Sequence, residues 1–144
     1  MIKFATLASV LVLSLGLGVS SAEAGNKFKL DQFGLGNSFG VSQFGNGNKA
    51  RGIQDGFFNQ GKIKQNGFGN AAGLGQSGAF HQGSINQNGI GNVGGIGQSG
   101  IGHSAKLNQN GAFNGGLILQ DGVGQSADVN QNGIGNSAIV EQGN

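Results

Sequence analysis

The stretch that decides the fold is residues 129–142, Val-Asn-Gln-Asn-Gly-Ile-Gly-Asn-Ser-Ala-Ile-Val-Glu-Gln. Its two glutamines are eleven residues apart, and the same step continues towards the N-terminus without a gap. The glutamine series is Gln32, Gln43, Gln54, Gln65, Gln76, Gln87, Gln98, Gln109, Gln120, Gln131 and Gln142. Two residues after each of the first ten stands a glycine: Gly34, Gly45, Gly56, Gly67, Gly78, Gly89, Gly100, Gly111, Gly122 and Gly133. A period held this long indicates a repeat architecture, although a chain with 32 Gly in 144 residues would otherwise suggest disorder.

The first 24 residues are of a different kind. Lys3 precedes an apolar run over residues 4–19, and Ala22-Glu23-Ala24 fits a small-x-small cleavage site. This pattern predicts a secretory signal peptide over 1–24 that is cleaved, with one mature domain over 25–144. A membrane anchor is the alternative, but the run is short for a span, so no membrane insertion is expected. The chain has no Cys for disulfides, and its net charge of +2 gives no reason to expect nucleic acid.

Side-chain alternation within each eleven-residue unit predicts one β-strand per unit, followed by an x-Gly-x-Gly turn. In the last unit one face carries Asn136, Ala138, Val140 and Gln142, and the other carries the residues between them. The predicted strands are 26–32, 37–43, 48–54, 59–65, 70–76, 81–87, 92–98, 103–109, 114–120, 125–131 and 136–142. Phe58, Phe80 and Phe113 replace the second turn glycine, so those turns are expected to differ in detail.

The same register divides the side chains into inward and outward columns. The inward columns hold the glutamines, an aliphatic series, an Ala/Gly series and an asparagine series. The Asn column is Asn26, Asn37, Asn48, Asn59, Asn70, Asn92, Asn114 and Asn136, with His81, His103 and Gln125 at the remaining places. All twelve charged residues after position 24 fall on outward or turn positions, which supports this division because burying an unpaired charge is costly.

A second period of 22 residues overlies the first. Asn66, Asn88, Asn110 and Asn132 follow alternate glutamines, whereas Asp55, Ser77, Ser99 and Asp121 follow the others. The predicted fold class is therefore an all-β solenoid with two strands per 22-residue rung, in which each strand stacks in parallel on the strand two along the chain. An antiparallel meander is the competing topology, and it gives no reason for the 22-residue period.

Stacked glutamines can satisfy their buried amides by forming a ladder at the strand spacing of about 4.7–4.8 Å. The ladder and both sheets are incomplete at each end of the stack, and an open strand edge is a template for another chain. The sequence therefore predicts that copies of the chain stack end to end into a polymer that is much more stable than the monomer.

The units Gln-x-Gly-x-Gly-Asn-x-Ala-x5-Gln, as in Gln131 to Gln142, resemble the curlin repeats of curli, which are bacterial extracellular amyloid fibres. The resemblance covers 26–144. It implies a major-type fibre subunit that is secreted through the periplasm and an outer-membrane channel, with periplasmic chaperones and a nucleator subunit as partners. It also implies an extracellular fimbrium that supports biofilm matrix and cell adhesion, with the Gln and Asn columns responsible for self-assembly. The minor nucleator of such a fibre, and a soluble secreted β-solenoid binding module, are the alternatives.

Other motifs favour neither catalysis nor a cofactor. Gly73-Leu74-Gly75-Gln76-Ser77-Gly78 matches a dinucleotide fingerprint, but such matches are expected by chance in a periodic Gly-rich chain. No Ser-His-Asp arrangement or pair of inward carboxylates is present, so the chain is not expected to be an enzyme. His81 and His103 should stack on adjacent rungs as substitutes for Asn, and no carboxylate or Cys completes a metal site there.

Two surface features carry further expectations. Strands 70–76, 92–98 and 114–120 present an uncharged outward stripe, which indicates a lateral contact surface between fibres; sparse exposed aliphatic residues without a partner are the alternative. The stripe is Ala71, Gly73, Gly75, Val93, Gly95, Gly97, Gly115, Leu117 and Leu119. Charge also varies along the axis: residues 25–64 carry a balance of +4 (six basic, two acidic) and residues 65–144 one of −2 (one basic, three acidic). Head-to-tail stacking is therefore expected to respond to salt.

Overall fold

The computed structural model describes residues 25–144, and these residues form an all-β solenoid of eleven strands. The predicted signal peptide over 1–24 lies outside the described residues. The strands are β1 (Lys27–Leu35), β2 (Ser38–Asn46), β3 (Lys49–Phe57), β4 (Gln60–Phe68), β5 (Ala71–Ala79), β6 (Gln82–Ile90), β7 (Val93–Ile101), β8 (Ser104–Ala112), β9 (Gly115–Val123), β10 (Ser126–Ile134) and β11 (Ser137–Gly143). Within 25–144 no helix is long and apolar enough to cross a membrane.

The strands form two parallel sheets, as the 22-residue period predicts. The odd-numbered strands make a six-stranded sheet in the order β1-β3-β5-β7-β9-β11, and the even-numbered strands make a five-stranded sheet in the order β2-β4-β6-β8-β10. In every pair each residue lies beside the residue 22 positions away, for example Gln54 beside Gln76 and Gln65 beside Gln87. This register confirms the two-strand rung and excludes the antiparallel meander.

The strands are longer than the sequence predicted. Each of the first ten spans nine residues, continues through the x-Gly-x segment, and leaves only two residues outside the ladder, such as Gly36 and Asn37 between β1 and β2. The prediction of seven-residue strands with four-residue turns was wrong because identical corners stack on one another. Main-chain hydrogen bonds between rungs therefore survive the bend, as Gly34 beside Gly56 illustrates.

The corner glycines have the backbone conformation that the turn prediction required. All ten glycines of the Gly34 series have positive φ, from 94° at Gly45 to 128° at Gly89. The expectation that corners with Phe in place of the second glycine would differ was wrong. Phe58, Phe80 and Phe113 have φ of 54°, 61° and 54°, close to the 63–73° of the glycines in the same columns, so they keep the same left-handed turn at a steric cost.

The core is one continuous layer between the two sheets. Its most deeply buried large side chains, Ile63, Leu74, Ile85, Leu107 and Ile118, belong to the predicted aliphatic column. The Ala/Gly column gives them room, since a Cβ at Gly83 would meet the side chain of Leu74.

The exceptions in these columns compensate for one another. The Phe39 ring occupies the space that side chains at Gly52 and Gly61 would take. Phe39, a bulky residue in the Ala/Gly column, is therefore accommodated by Gly52, which has no side chain in the aliphatic column.

Candidate self-assembly site

The inward glutamines form two unbroken ladders, one in each sheet. Each Gln Nε2 donates to the Oε1 of the glutamine 22 residues later, in all nine such pairs of the series, at 2.6–3.0 Å. The eight glutamines from Gln54 to Gln131 are buried, whereas Gln32, Gln43 and Gln142 at the ends are partly exposed. The ladders thus have a direction, with donors pointing towards the C-terminal end of the stack.

The second amide hydrogen of each glutamine links the two sheets, which the sequence did not predict. From Gln43 onwards, each Nε2 also donates to the main-chain carbonyl sixteen residues earlier, in the opposite sheet. Gln65 Nε2 donates to the Lys49 carbonyl at 2.9 Å, and Gln87 Nε2 donates to the Ala71 carbonyl at 2.8 Å. Both amide hydrogens are satisfied in the eight glutamines from Gln43 to Gln120, so burying these side chains costs less than burying an amide without partners.

The asparagine column clamps the corners and is only partly a side-chain ladder. Asn48 Nδ2 donates to the carbonyls of Phe44 and Gly67, and its Oδ1 accepts the main-chain N–H of Asn70 at 3.1 Å. Within this column, among residues 25–144, a direct Asn-to-Asn side-chain bond occurs only where Asn70, Asn114 and Asn136 donate to the previous rung. The Asn side chain is shorter than that of Gln and bonds mainly to the main chain, so this column does not form a continuous side-chain ladder.

His81 and His103 take the place of Asn in the same clamp. Their rings are stacked, with centroids 5.0 Å apart and an interplanar angle of 7°, and both residues are buried. His81 Nε2 lies 3.0 Å from the main-chain carbonyl oxygen of Ser77, and His103 Nε2 lies 2.9 Å from that of Ser99. Both are hydrogen-bond distances. Each Nδ1 accepts a main-chain N–H from the next rung. The neutral Nε2–H form satisfies both contacts, as the side-chain amide of Asn does elsewhere.

Protonation would disrupt this arrangement, since Nδ1 would then present a second hydrogen to a main-chain N–H. Burial is the main cause that lowers the pKa of His81 below its ordinary value of 6.5. The hydrogen bond to the Ser77 carbonyl opposes this effect, and the imidazole of His103 adds to it. Acid is therefore expected to destabilise the core at His81. No cluster of three or more potential metal-ligating side chains occurs within the described part of the chain.

The outer surface follows the predicted division of charge. Eleven of the twelve charged residues in 25–144 are exposed, and Asp31, the twelfth, is partly exposed beside Lys29 and Arg51. The predicted uncharged stripe faces outward on β5, β7 and β9, where Val93 and Leu119 are exposed and Leu117 is partly exposed.

The corners carry an apolar surface that the sequence reasoning missed. The third residue of x-Gly-x-Gly stacks into two columns along the corners, and nine of these ten residues are apolar. The columns are Leu35, Phe57, Ala79, Ile101 and Val123, and Asn46, Phe68, Ile90, Ala112 and Ile134. Comparing equivalent positions of the eleven-residue units, which identified the inward residues, could also have identified these corner residues.

The two ends of the stack are complementary. At the N-terminal end, Gln32 and Gln43 have Oε1 atoms that accept no hydrogen bond from another glutamine within residues 25–144, and β1 and β2 have open edges. At the C-terminal end, Gln131 and Gln142 have Nε2 donors without a glutamine acceptor in the part of the chain that the structure describes, beside the open edges of β10 and β11. One end of the ladder offers acceptors, and the other offers donors.

No protein-family model matches this chain, and no curated protein matches it either.

Proposed function

We propose that this protein is a secreted structural subunit that assembles head to tail into an extracellular, curlin-like amyloid fibre. One observation carries the proposal: the two glutamine ladders run without interruption to open strand edges whose donors and acceptors are complementary. A copy of the same chain supplies the matching partner for each of these groups, because every rung repeats the same columns. Exposed parallel edges of this kind favour the addition of further strands.

The distribution of polar and charged groups supports a fibre whose faces are in water. Buried amides are paired along the axis, and the charged side chains are outside, so a stack of many copies would bury no charge. Parallel in-register stacking of identical residues is also the geometry of cross-β fibres, with a strand repeat of about 4.7–4.8 Å. The fold differs from many amyloids in that each chain supplies eleven strands of the stack.

The biological setting is proposed on the resemblance to curlin repeats together with the signal-peptide pattern at 1–24. On this basis the chain is exported through the periplasm and an outer-membrane channel, with chaperones that keep it unassembled. It then contributes to biofilm matrix and cell adhesion, in contact with a nucleator subunit. No catalytic step and no cofactor enter the proposal.

The test uses the mature chain, residues 25–144, held in mild buffer at micromolar concentration. We expect thioflavin fluorescence to rise after a lag that preformed fibres abolish. X-ray diffraction from aligned fibres should give a meridional reflection at about 4.7–4.8 Å. A chain that stays a compact monomer with the same β-content would contradict the proposal and favour a soluble solenoid binding module.

A further inference from the structure

The two sheets contain different numbers of strands, and this difference decides how two copies can meet. The odd-numbered strands make six layers and the even-numbered strands make five. With two strands per rung, residues 25–144 therefore form five and a half rungs. At the C-terminal end, β11 extends the six-stranded sheet one layer beyond β10 in the other sheet.

We propose that successive copies join with a half-rung offset, so that β1 of the next copy stacks on β10 and its β2 stacks on β11. The odd-numbered strands of one copy then continue into the even-numbered strands of its neighbour. Successive molecules are related by half a turn about the fibre axis, and each outer face of the fibre alternates between the two sheets. This inference rests on the proposed function, and it adds the register and symmetry of the joint.

The alternative is a joint without rotation, in which β1 of the next copy stacks on β11. In that joint β2 of the next copy would lie two layers above β10 in the five-stranded sheet, because it shares a rung with the β1 strand that stacks above β11. One strand position, about 4.7–4.9 Å high, would stay empty in the five-stranded sheet. The main-chain groups facing that gap would lose their partners, which is costly wherever water cannot reach them. The half-rung joint closes both sheets.

Side chains at the C-terminal end fit the half-rung joint. It places Gln131 Nε2 against the partner's Gln32 and Gln142 Nε2 against the partner's Gln43, which continues both ladders in their observed direction.

The half-rung joint also provides a donor for Gln125, whose buried Oε1 has no hydrogen-bond partner among residues 25–144. Elsewhere in this column the side-chain oxygen accepts the main-chain N–H one rung on, as Asn48 does from Asn70. The half-rung joint brings the main-chain N–H of the partner's Asn26 to that position, whereas the unrotated joint leaves it without a donor.

Charge on the outer faces distinguishes the two joints as well. In the half-rung joint Asp128 lies beside the partner's Lys29, and Glu141 lies beside the partner's Ser42. In the unrotated joint Glu141 lies beside the partner's Asp31, and the partner's Lys29 lies beside Ile139. Opposite charges on adjacent strands are favourable and like charges are unfavourable, so the outer columns also favour the half-rung joint.

Thiol crosslinking tests the register directly, because the chain contains no Cys of its own. Two matched variants of the mature chain are compared: Lys27→Cys with Ser126→Cys, and Lys27→Cys with Ser137→Cys. All three positions are exposed at strand starts, so neither variant disturbs the core. Fibres of each are treated with a short bifunctional thiol reagent, dissolved, and separated by denaturing electrophoresis.

The half-rung joint predicts a ladder of covalent multimers from the variant with cysteines at 27 and 126, and monomer from the variant with cysteines at 27 and 137. The reverse result, or fibres that crosslink in neither variant, would overturn the proposal. Fibre diffraction on the same samples separates this failure from that of the proposed function, because without fibres the 4.7–4.8 Å reflection is absent.

A charge exchange gives an independent measurement. Asp128→Lys should slow seeded elongation several-fold at low salt, and adding Lys29→Asp should restore most of the rate. Raising the ionic strength should reduce the difference, since the pair is exposed to solvent. An elongation rate that Asp128→Lys leaves unchanged at low salt would contradict the joint.

Discussion

The middle rungs and the end rungs of this solenoid are built from the same residues, but only the middle rungs have all their partners. Gln65 and Gln87 are fully buried, and each accepts from one rung, donates to the next and donates to the opposite sheet. Gln43 and Gln142 hold the equivalent positions in the end rungs and are partly exposed, and each lacks one of its two ladder contacts among residues 25–144. The difference shows that whether a glutamine has all its hydrogen-bond partners depends on its position along the axis and not on its residue type.

The largest effect is expected from adding one methyl group at a corner glycine. In the middle, a Cβ at Gly89 would overlap the main-chain carbonyl oxygen of Gly111 on the next rung. Gly89→Ala should therefore prevent these two rungs from stacking at this corner. The expected cost is several kcal/mol in the free energy of unfolding. Circular dichroism and urea unfolding of the monomer measure this loss.

The matched change at the end should separate folding from assembly. A Cβ at Gly133 meets nothing closer than Asn136 Nδ2 at 3.4 Å within the described chain. Gly133→Ala carries the strain of φ 118° but no overlap, so the monomer should keep most of its β-structure. Seeded elongation should nevertheless fail, because the methyl group projects at the next copy. Normal elongation of a folded Gly133→Ala chain would show that this end does not stack on another molecule.

The next effect comes from removing one amide from the middle of a ladder. Gln87→Leu leaves Gln65 Nε2 without its acceptor and Gln109 Oε1, a next-rung acceptor, without its donor. Each unsatisfied buried group costs about 1–3 kcal/mol, so a loss of a few kcal/mol is expected in chemical denaturation. Gln82→Leu in the same strand is the control, since Gln82 is exposed and the change there should stay within about 0.5 kcal/mol. Equal losses in the two variants would mean that the ladder contributes no stability.

A smaller effect should follow from acid. The lowered pKa of His81 means that its contribution to stability is complete above pH 6.5 and is lost as the pH falls below that value, because the unfolded chain binds the proton more readily. The parent should therefore assemble more slowly at pH 5 than at pH 7. The double variant His81→Asn, His103→Asn should assemble at similar rates at both, since Asn makes the same clamp contacts with no proton to gain. A double variant with the parent's pH response would refute this role for the histidines.

The smallest effect is expected at the sides of the proposed fibre and not at its ends. Replacing Leu117 and Leu119 by Lys adds charge to the uncharged outward stripe, so lateral bundling should decrease while the elongation rate stays the same. Electron microscopy and light scattering of fibres at matched mass measure the bundling. Bundles as thick as those of the parent would exclude the stripe as a contact surface.

The sequence predicted the two-strand rung, the register and the inward columns because the same pattern recurs in eleven units, and only one assignment fits all of them. One unit such as 129–142 could be read in several ways, but the period of 22 residues and the exclusion of charge from four columns left one arrangement. Gln32 and Gln142 could be assigned to the same column as Gln76 without any knowledge of contacts, since identical positions stack in this fold.

The strand ends and the second roles of the amides were not predictable in the same way. Strand length depends on whether the corner at Gly34 keeps its hydrogen bonds to the next rung, which only the stacked corners decide. The bonds from Gln65 to the Lys49 carbonyl and from Asn48 to the Gly67 carbonyl depend on the distance between sheets, which periodicity does not contain. The left-handed Phe58 was mispredicted because its φ is imposed by the neighbouring rungs against its own preference.

The most direct test of the central claim is whether the glutamine ladder passes from one molecule to the next. Fibres are grown from an equal mixture of mature chain labelled with 15N at Gln side-chain amides and mature chain labelled with 13C at Gln carboxamide carbons. Solid-state NMR then detects magnetisation transfer between the two labels, which can arise only between different copies. We expect transfer between Gln131 or Gln142 of one copy and a glutamine at the N-terminal end of another. Well-ordered fibres without any such transfer would contradict the account.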